Sequence, residues 1–410
     1  MKKLRACMAI LMLIALTASL LSGCAGESGS VVTLNVYNWG EYISDGSEDS
    51  VDVNAEFEAY FNENLAEEYG YEIAVNYTTY ASNEDMYNKI KTGATSYDVI
   101  IPSDYMIERM INENMLLPLD FDNIPNFEYI DENFRNLFYD PENLYSIPYT
   151  YGMVGILYNT TMVDEEDIGS WDLMWNEKYA GKILQFNNPR DAIATSMYWQ
   201  GIDVNTTDPA EWAQAVDKLK VQKPLVQSYV MDEIFNKMKN GSAAIAAYYV
   251  GDFLTMYEDN EYLAFYYPEE GTNVFVDAMC IPTCATHKEL AELYIDFMLS
   301  EEIAVANAEY IYYASPNTLV LDNEEYDECM AEVHEDYAEM LYPDLSEYLA
   351  TYYHTLDPET QSLEDSLWED LKIENSIGLW VHITAGVIVA GLLIFFIRRI
   401  VVKKRRESRY

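Results

Sequence analysis

The sequence predicts an α/β protein with two domain-sized cores, followed by a helix long enough to span a membrane. Three observations carry this. The chain has 410 residues and is 50% hydrophobic, enough for two ordered cores. Through its middle, short apolar strands alternate with helices of moderate length. Near the end, residues 377–397 form an unbroken apolar stretch without Asp, Glu, Lys or Arg, sufficient to cross a bilayer as a helix.

The elements follow in order. Residues 32–37 read as a strand, 53–69 as a helix and 71–77 as a second strand. Ser82 opens the next helix with Asp85 three residues on, the spacing of a capping box. Gly93 stands where that helix needs a left-handed stop. A third strand is expected over 97–101 and a helix over 106–115. A second region then resumes the alternation with a strand at 183–186, helices at 192–199 and 209–220, and a strand at 243–248.

Both ends carry targeting signals. Lys2, Lys3 and Arg5 precede an apolar run over 8–21 that is too short for a span, as in an export signal over 1–23. The run closes on Leu21-Ser22-Gly23-Cys24, which resembles the lipobox of bacterial lipoproteins and makes Cys24 the expected lipidation site. Residues 24–31 read as a polar linker. At the other end, seven Lys and Arg residues over 398–410 follow the apolar stretch. By the positive-inside rule that tail is cytoplasmic, and the body of the chain faces outward at the cell membrane.

The formal net charge is −46. Nucleic-acid binding needs a basic surface and is excluded. An acidic field steers cations instead, although acidity also serves solubility. Cys280, Cys284 and Cys329 show no metal-ligand spacing, and the sequence does not choose a disulfide among them. No metal or cofactor is expected. HExxH, GxSxG and P-loop patterns are absent from the sequence. Two rival readings stay open: a carbohydrate-active enzyme using Glu41 and Asp277 as paired carboxylates, and a ligand sensor acting through a membrane partner.

In open parallel sheets, ligands sit beyond the carboxyl ends of the strands. Those positions hold Trp39 and Glu41, then Ser103 and Tyr105, then Asn188, Arg190 and Asp191, then Tyr248, Tyr249 and Asp252. Aromatics and carboxylates recur there, which suits a cation with an apolar stem. A polyamine is such a ligand: carboxylates hold its ammonium groups, and aromatic faces line its methylenes while attracting charge at about 0.5–2 kcal/mol per contact.

The motif Tyr37-Asn38-Trp39-Gly40-Glu41-Tyr42, the segments 80–87 and 98–110, Ser146-Ile147-Pro148-Tyr149, Ser315-Pro316-Asn317 and Leu341-Tyr342-Pro343-Asp344 resemble the spermidine/putrescine-binding proteins of bacterial ABC importers. The similarity runs over roughly 33–372. It implies a two-lobed type II periplasmic-binding fold, with one lobe at 32–152 and 277–310 and the other at 153–276 and 311–372. It implies crossings between lobes near 149–158 and 275–281, closing a hinged cleft. It further implies an ABC permease and its ATPase as partners. By the same resemblance, Trp39, Gly40, Glu41 and Tyr42 form one pocket wall with Ser103 and Tyr105 beside them. Asp277 grips an amine and Tyr313 is a pocket tyrosine. Asn188 and Asp191 stand where spermidine binders often carry Asp and Glu. Tyr248 (or Tyr249) and Phe275 replace tryptophans, and His354 replaces a glutamine. These departures leave putrescine and spermidine both open.

Overall fold

The computed structural model describes residues 30–47, 50–93 and 95–373, together with Val387, Arg398 and Arg399. Ten strands form a continuous hydrogen-bonded array: β1 (Ser30–Trp39), β2 (Tyr71–Tyr80), β3 (Val99–Ile100), β4 (Ser146–Asn159), β5 (Ile183–Phe186), β6 (Val226–Val230), β7 (Ile245–Tyr249), β8 (Leu263–Tyr266), β9 (Thr272–Cys280) and β10 (Ala350–Thr351). Their order is β2-β1-β3-β9-β4-β7-β5-β6, with β8 on β4 and β10 on β9. The array divides into two lobes. In one, β1, β2 and β3 run parallel; in the other, β5, β6 and β7 do.

The lobes share strands. β4 pairs with β9 from Ser146 to Met153 and then passes to β7 from Val154 onward. The hand-over falls between Met153 and Val154, one residue past Gly152, which pairs with Phe275.

Period-2 alternation builds the first lobe. Leu34 and Val36 of β1 face one core with Phe57, Phe61 and Tyr294. Tyr37 faces the other, with Met86, Tyr87 and Met106 from the helices Asn83–Lys91 and Asp104–Asn112. The Ser82 side chain accepts from Asp85 N at 3.1 Å, the cap read from the sequence. Gly93 has φ +64°, as the left-handed stop requires. The helix expected over 53–69 breaks at Leu65 into Val53–Asn64 and Ala66–Tyr69. β1 begins at Ser30, inside the span read as linker. The three cysteines Cys280, Cys284 and Cys329 are free thiols.

The membrane-spanning helix needs correction. Among the described residues, no helix is long and apolar enough to cross a membrane. The stretch 377–397 lies, apart from Val387, outside the described residues, as do the signal segment, Cys24 and all of the basic tail beyond Arg399. Among the described residues the fold is therefore two-lobed α/β with no membrane-spanning helix. The helix Pro358–Ile373, which precedes the stretch, is amphipathic and docks on Pro209–Gln222 of the second lobe.

Candidate functional site

A cavity of about 630 Å³ opens between the lobes. The parallel strands of both lobes aim their carboxyl ends at it, so strand ends and short turns deliver the lining: Trp39 at the end of β1 and Gly40 after it, Ser103 and Tyr105 after β3, Asn188 and Asp191 after β5. Met231 and Asp232 follow β6, and Tyr248, Tyr249 and Asp252 lie at the end of β7. Strand β9 adds Asn273, Phe275 and Asp277, alternate residues on one face spaced about 6.6 Å apart. Across the mouth, Asp232 lies so close to Gly40 that a Cβ added there would stand 2.6 Å from Asp232 Oδ2.

Asp277 is the most exacting group. It is 4% exposed. Its Oδ2 accepts from the Tyr42 hydroxyl at 2.7 Å, and that hydroxyl also lies 2.6 Å from Thr150 Oγ1. Among the described residues no hydrogen bond reaches its Oδ1. Burial pushes this carboxyl up to about 6, against the opposing pull of the Ser103 and Tyr42 hydroxyls beside it.

Asp191 sits in the first turn of the helix Pro189–Gln200. Its Oδ2 accepts from Asn188 Nδ2 at 2.8 Å and from the Tyr249 hydroxyl at 2.7 Å. Burial pushes it up to about 6 as well. Asn188 works at both ends, since its Oδ1 caps the helix by accepting from Arg190 N at 3.0 Å. Asn188 therefore lines the cavity as a support for Asp191, with its own acceptor already engaged.

Aromatic faces complete the walls. Trp39 commits its indole N–H to Ile101 O at 2.9 Å and packs against Tyr80, which fixes the ring. Tyr248 stacks on Phe186. Phe275 meets Tyr249 and Tyr313 edge to face at 5.4 and 6.3 Å. The Tyr105 hydroxyl donates to Glu84 Oε1 at 2.9 Å, and burial raises the Glu84 carboxyl.

Eleven expected residues thus line one cavity: Trp39, Gly40, Tyr42, Ser103, Tyr105, Asn188, Asp191, Tyr248, Phe275, Asp277 and Tyr313. Two do not. Glu41 adopts φ +52° and is exposed, turned out of the cavity by the left-handed step after Gly40. His354 is exposed, edge-on to Phe138 and 3.8 Å from Glu108. Its neighbour Tyr353 takes the place at the cavity wall. The sequence reading missed Asn83, Met231, Asp232, Asn273 and Tyr353. Asn273 was within reach, because it precedes Phe275 and Asp277 at the same period of two.

The family profile described as bacterial extracellular solute-binding protein matches residues 94–340, more than half of the chain. The chain belongs to this family. A second profile, described as a hypothetical lipoprotein, matches residues 1–134. The chain is 32% identical over 306 residues to the spermidine/putrescine-binding periplasmic protein of Escherichia coli, covering 74% of this chain and 83% of that one. Among solved structures it resembles a putative spermidine/putrescine ABC transporter from Listeria monocytogenes, with a TM-score of 0.74 and 33% identity, covering 84% of this chain and 99% of the other. It also resembles a spermidine/putrescine ABC transporter substrate-binding protein from Streptococcus pneumoniae, with a TM-score of 0.64 and 35% identity, over 83% and 98% of the two chains.

Membership in the solute-binding family makes this a binding protein and not an enzyme. The rival pairing of Glu41 with Asp277 also fails on geometry, since Glu41 is outside the cavity that Asp277 lines.

Proposed function

We propose that the protein captures a polyamine in the inter-lobe cleft and delivers it to an ABC permease driven by its ATPase. The observation that carries this reading is Asp277 Oδ1, a buried carboxylate oxygen that no hydrogen bond reaches among the described residues, in a cavity whose described lining contains no Lys, Arg or His. A buried carboxylate needs a proton or a cation. An ammonium group supplies charge and donors together, as a charge-assisted hydrogen bond. Phe275 and the Tyr249 ring flank the adjoining methylenes, and the face of Trp39 adds a cation–π contact. The spermidine/putrescine-binding relatives support the same ligand class.

Capture closes the cleft. The lobes turn about β4 and β9 near Gly152 and Phe275, and a ligand that touches both lobes favours the closed state. Cys24 is lipidated after export, a reading supported by the Leu21-Ser22-Gly23-Cys24 motif and by the lipoprotein profile over 1–134. The acyl chain then holds the binding domain at the outer face of the membrane.

Isothermal titration calorimetry of the purified protein against putrescine, spermidine, spermine, amino acids and sugars tests the ligand. One-site heat from a polyamine, lost in Asp277→Ala, is expected. Heat from a sugar or a zwitterion, with silence from every polyamine, would sink the proposal.

A further inference from the structure

Residues 352–357 run without regular structure from β10 to the helix Pro358–Ile373, and Tyr353 among them lines the cavity. An irregular segment must still satisfy its backbone polar groups, and here side chains from both lobes do so. From the second lobe, Asn205 Nδ2 donates to Tyr352 O at 2.8 Å, and Asn205 Oδ1 accepts from His354 N at 2.8 Å. The Arg190 guanidinium, 3% exposed, donates to His354 O at 3.3 Å and to Asn205 Oδ1 at 3.0 Å. From the first lobe, Glu108 Oε2 accepts from Thr355 N at 2.7 Å, and Tyr105 O accepts from Thr355 Oγ1 at 2.8 Å.

These bonds differ in what they join. Those to Asn205 and Arg190 lie within one body, because the helix Pro358–Ile373 that continues the segment also packs on Pro189–Gln200 and Pro209–Gln222 of the second lobe. Those of Thr355 cross to the helix Asp104–Asn112 of the first lobe, so opening the cleft there breaks them. Between the two sets Tyr353 is held in the wall. Its ring centre lies 4.7 Å from the Arg190 guanidinium and meets Tyr105 edge to face at 6.0 Å. Neither Thr355 nor Glu108 lines the cavity.

We propose that residues 352–355 form a clasp between the lobes, in which Thr355 and Glu108 hold the cleft shut around its ligand without touching it. The inference rests on the capture reading above, and spermidine serves as its probe. A bond made only in the closed state favours closing and adds nothing to the first encounter. The clasp therefore slows ligand escape, and it does so by the same factor for every ligand that lets the cleft close.

Stopped-flow tryptophan fluorescence of the full chain with spermidine, with Trp39 in the cavity wall as a reporter, separates the two rate constants. Thr355→Val removes the hydroxyl and keeps the shape and the backbone N–H, while Glu108→Ala removes the acceptor. Each should speed dissociation about three- to tenfold, the worth of one hydrogen bond, with association changed by less than about twofold. Thr355→Ser restores the hydroxyl and should bring dissociation back to within about twofold of wild type. Unaltered dissociation in both disruptive variants, a loss carried by slower association, or no rescue by serine overturns the clasp. If wild type binds no polyamine, the polyamine reading falls on its own, and small-angle X-ray scattering decides the clasp. The ligand-free Thr355→Val and Glu108→Ala proteins should then show a larger radius of gyration than wild type, and equal radii would overturn it.

Discussion

Replacing Asp277 by Asn should make the ligand-free protein more stable at pH 7.5 while removing most of its affinity for a polyamine. The carboxyl rises from the ordinary 3.8 to about 6 because burial disfavours its charged form. An Asp with a raised folded-state pKa lowers stability when ionised. That cost is absent below about pH 3.8, grows as pH rises to about 6, and is fully present above it. A rise of this size corresponds to about 3 kcal/mol. The Asn side chain keeps an acceptor for the Tyr42 hydroxyl, so little is lost in exchange. Urea unfolding of wild type and Asp277→Asn at pH 7.5 and pH 4 measures the difference. The variant should gain up to about 3 kcal/mol at pH 7.5 and below about 1 kcal/mol at pH 4. Equal stability changes at the two pH values, or destabilisation at pH 7.5, would refute the claim that Asp277 lacks a cationic partner in the ligand-free cleft.

Other outcomes follow from the same geometry. Asn188→Asp keeps the helix cap but sets a second carboxylate against Asp191 Oδ2, now 2.8 Å from the Asn188 amide. Two such groups do not both ionise, so ligand-free stability should fall at pH 7.5 and recover near pH 5 in the same urea assay. Gly155 of β4 lies under Phe265, and an added Cβ would stand 2.6 Å from Tyr266 O. Gly155→Ala should therefore cost about 1–3 kcal/mol by overpacking. Its melting temperature should drop by several degrees while polyamine affinity in the folded fraction holds.

Much of the site was readable because strand ends are readable. Trp39, Ser103, Asp191 and Tyr248 each sit where an apolar run gives way to a turn, and parallel topology brings such turns together. The failures have local causes. At Glu41 a left-handed residue swings the chain, and nothing in an ordinary Glu announces φ +52°. Around His354 the chain is irregular between β10 and the helix Pro358–Ile373, so no period fixes which residue faces inward. A one-residue slip exchanged His354 for Tyr353. Asp232 was missed because β6 is short and half-buried, with no alternation to mark where it ends. The break at Leu65 was invisible for another reason: residues 53–69 contain neither Gly nor Pro to stop a helix.

The hand-over of β4 from β9 to β7 bears on how this molecule comes apart. Neither lobe is a module that a cut or a graft could lift out, because each keeps a strand whose other half belongs to its neighbour. Heat or denaturant should thus meet one cooperative unit rather than two. A small molecule lodged in the cleft would then raise the resistance of the whole chain, including turns far from any contact with it.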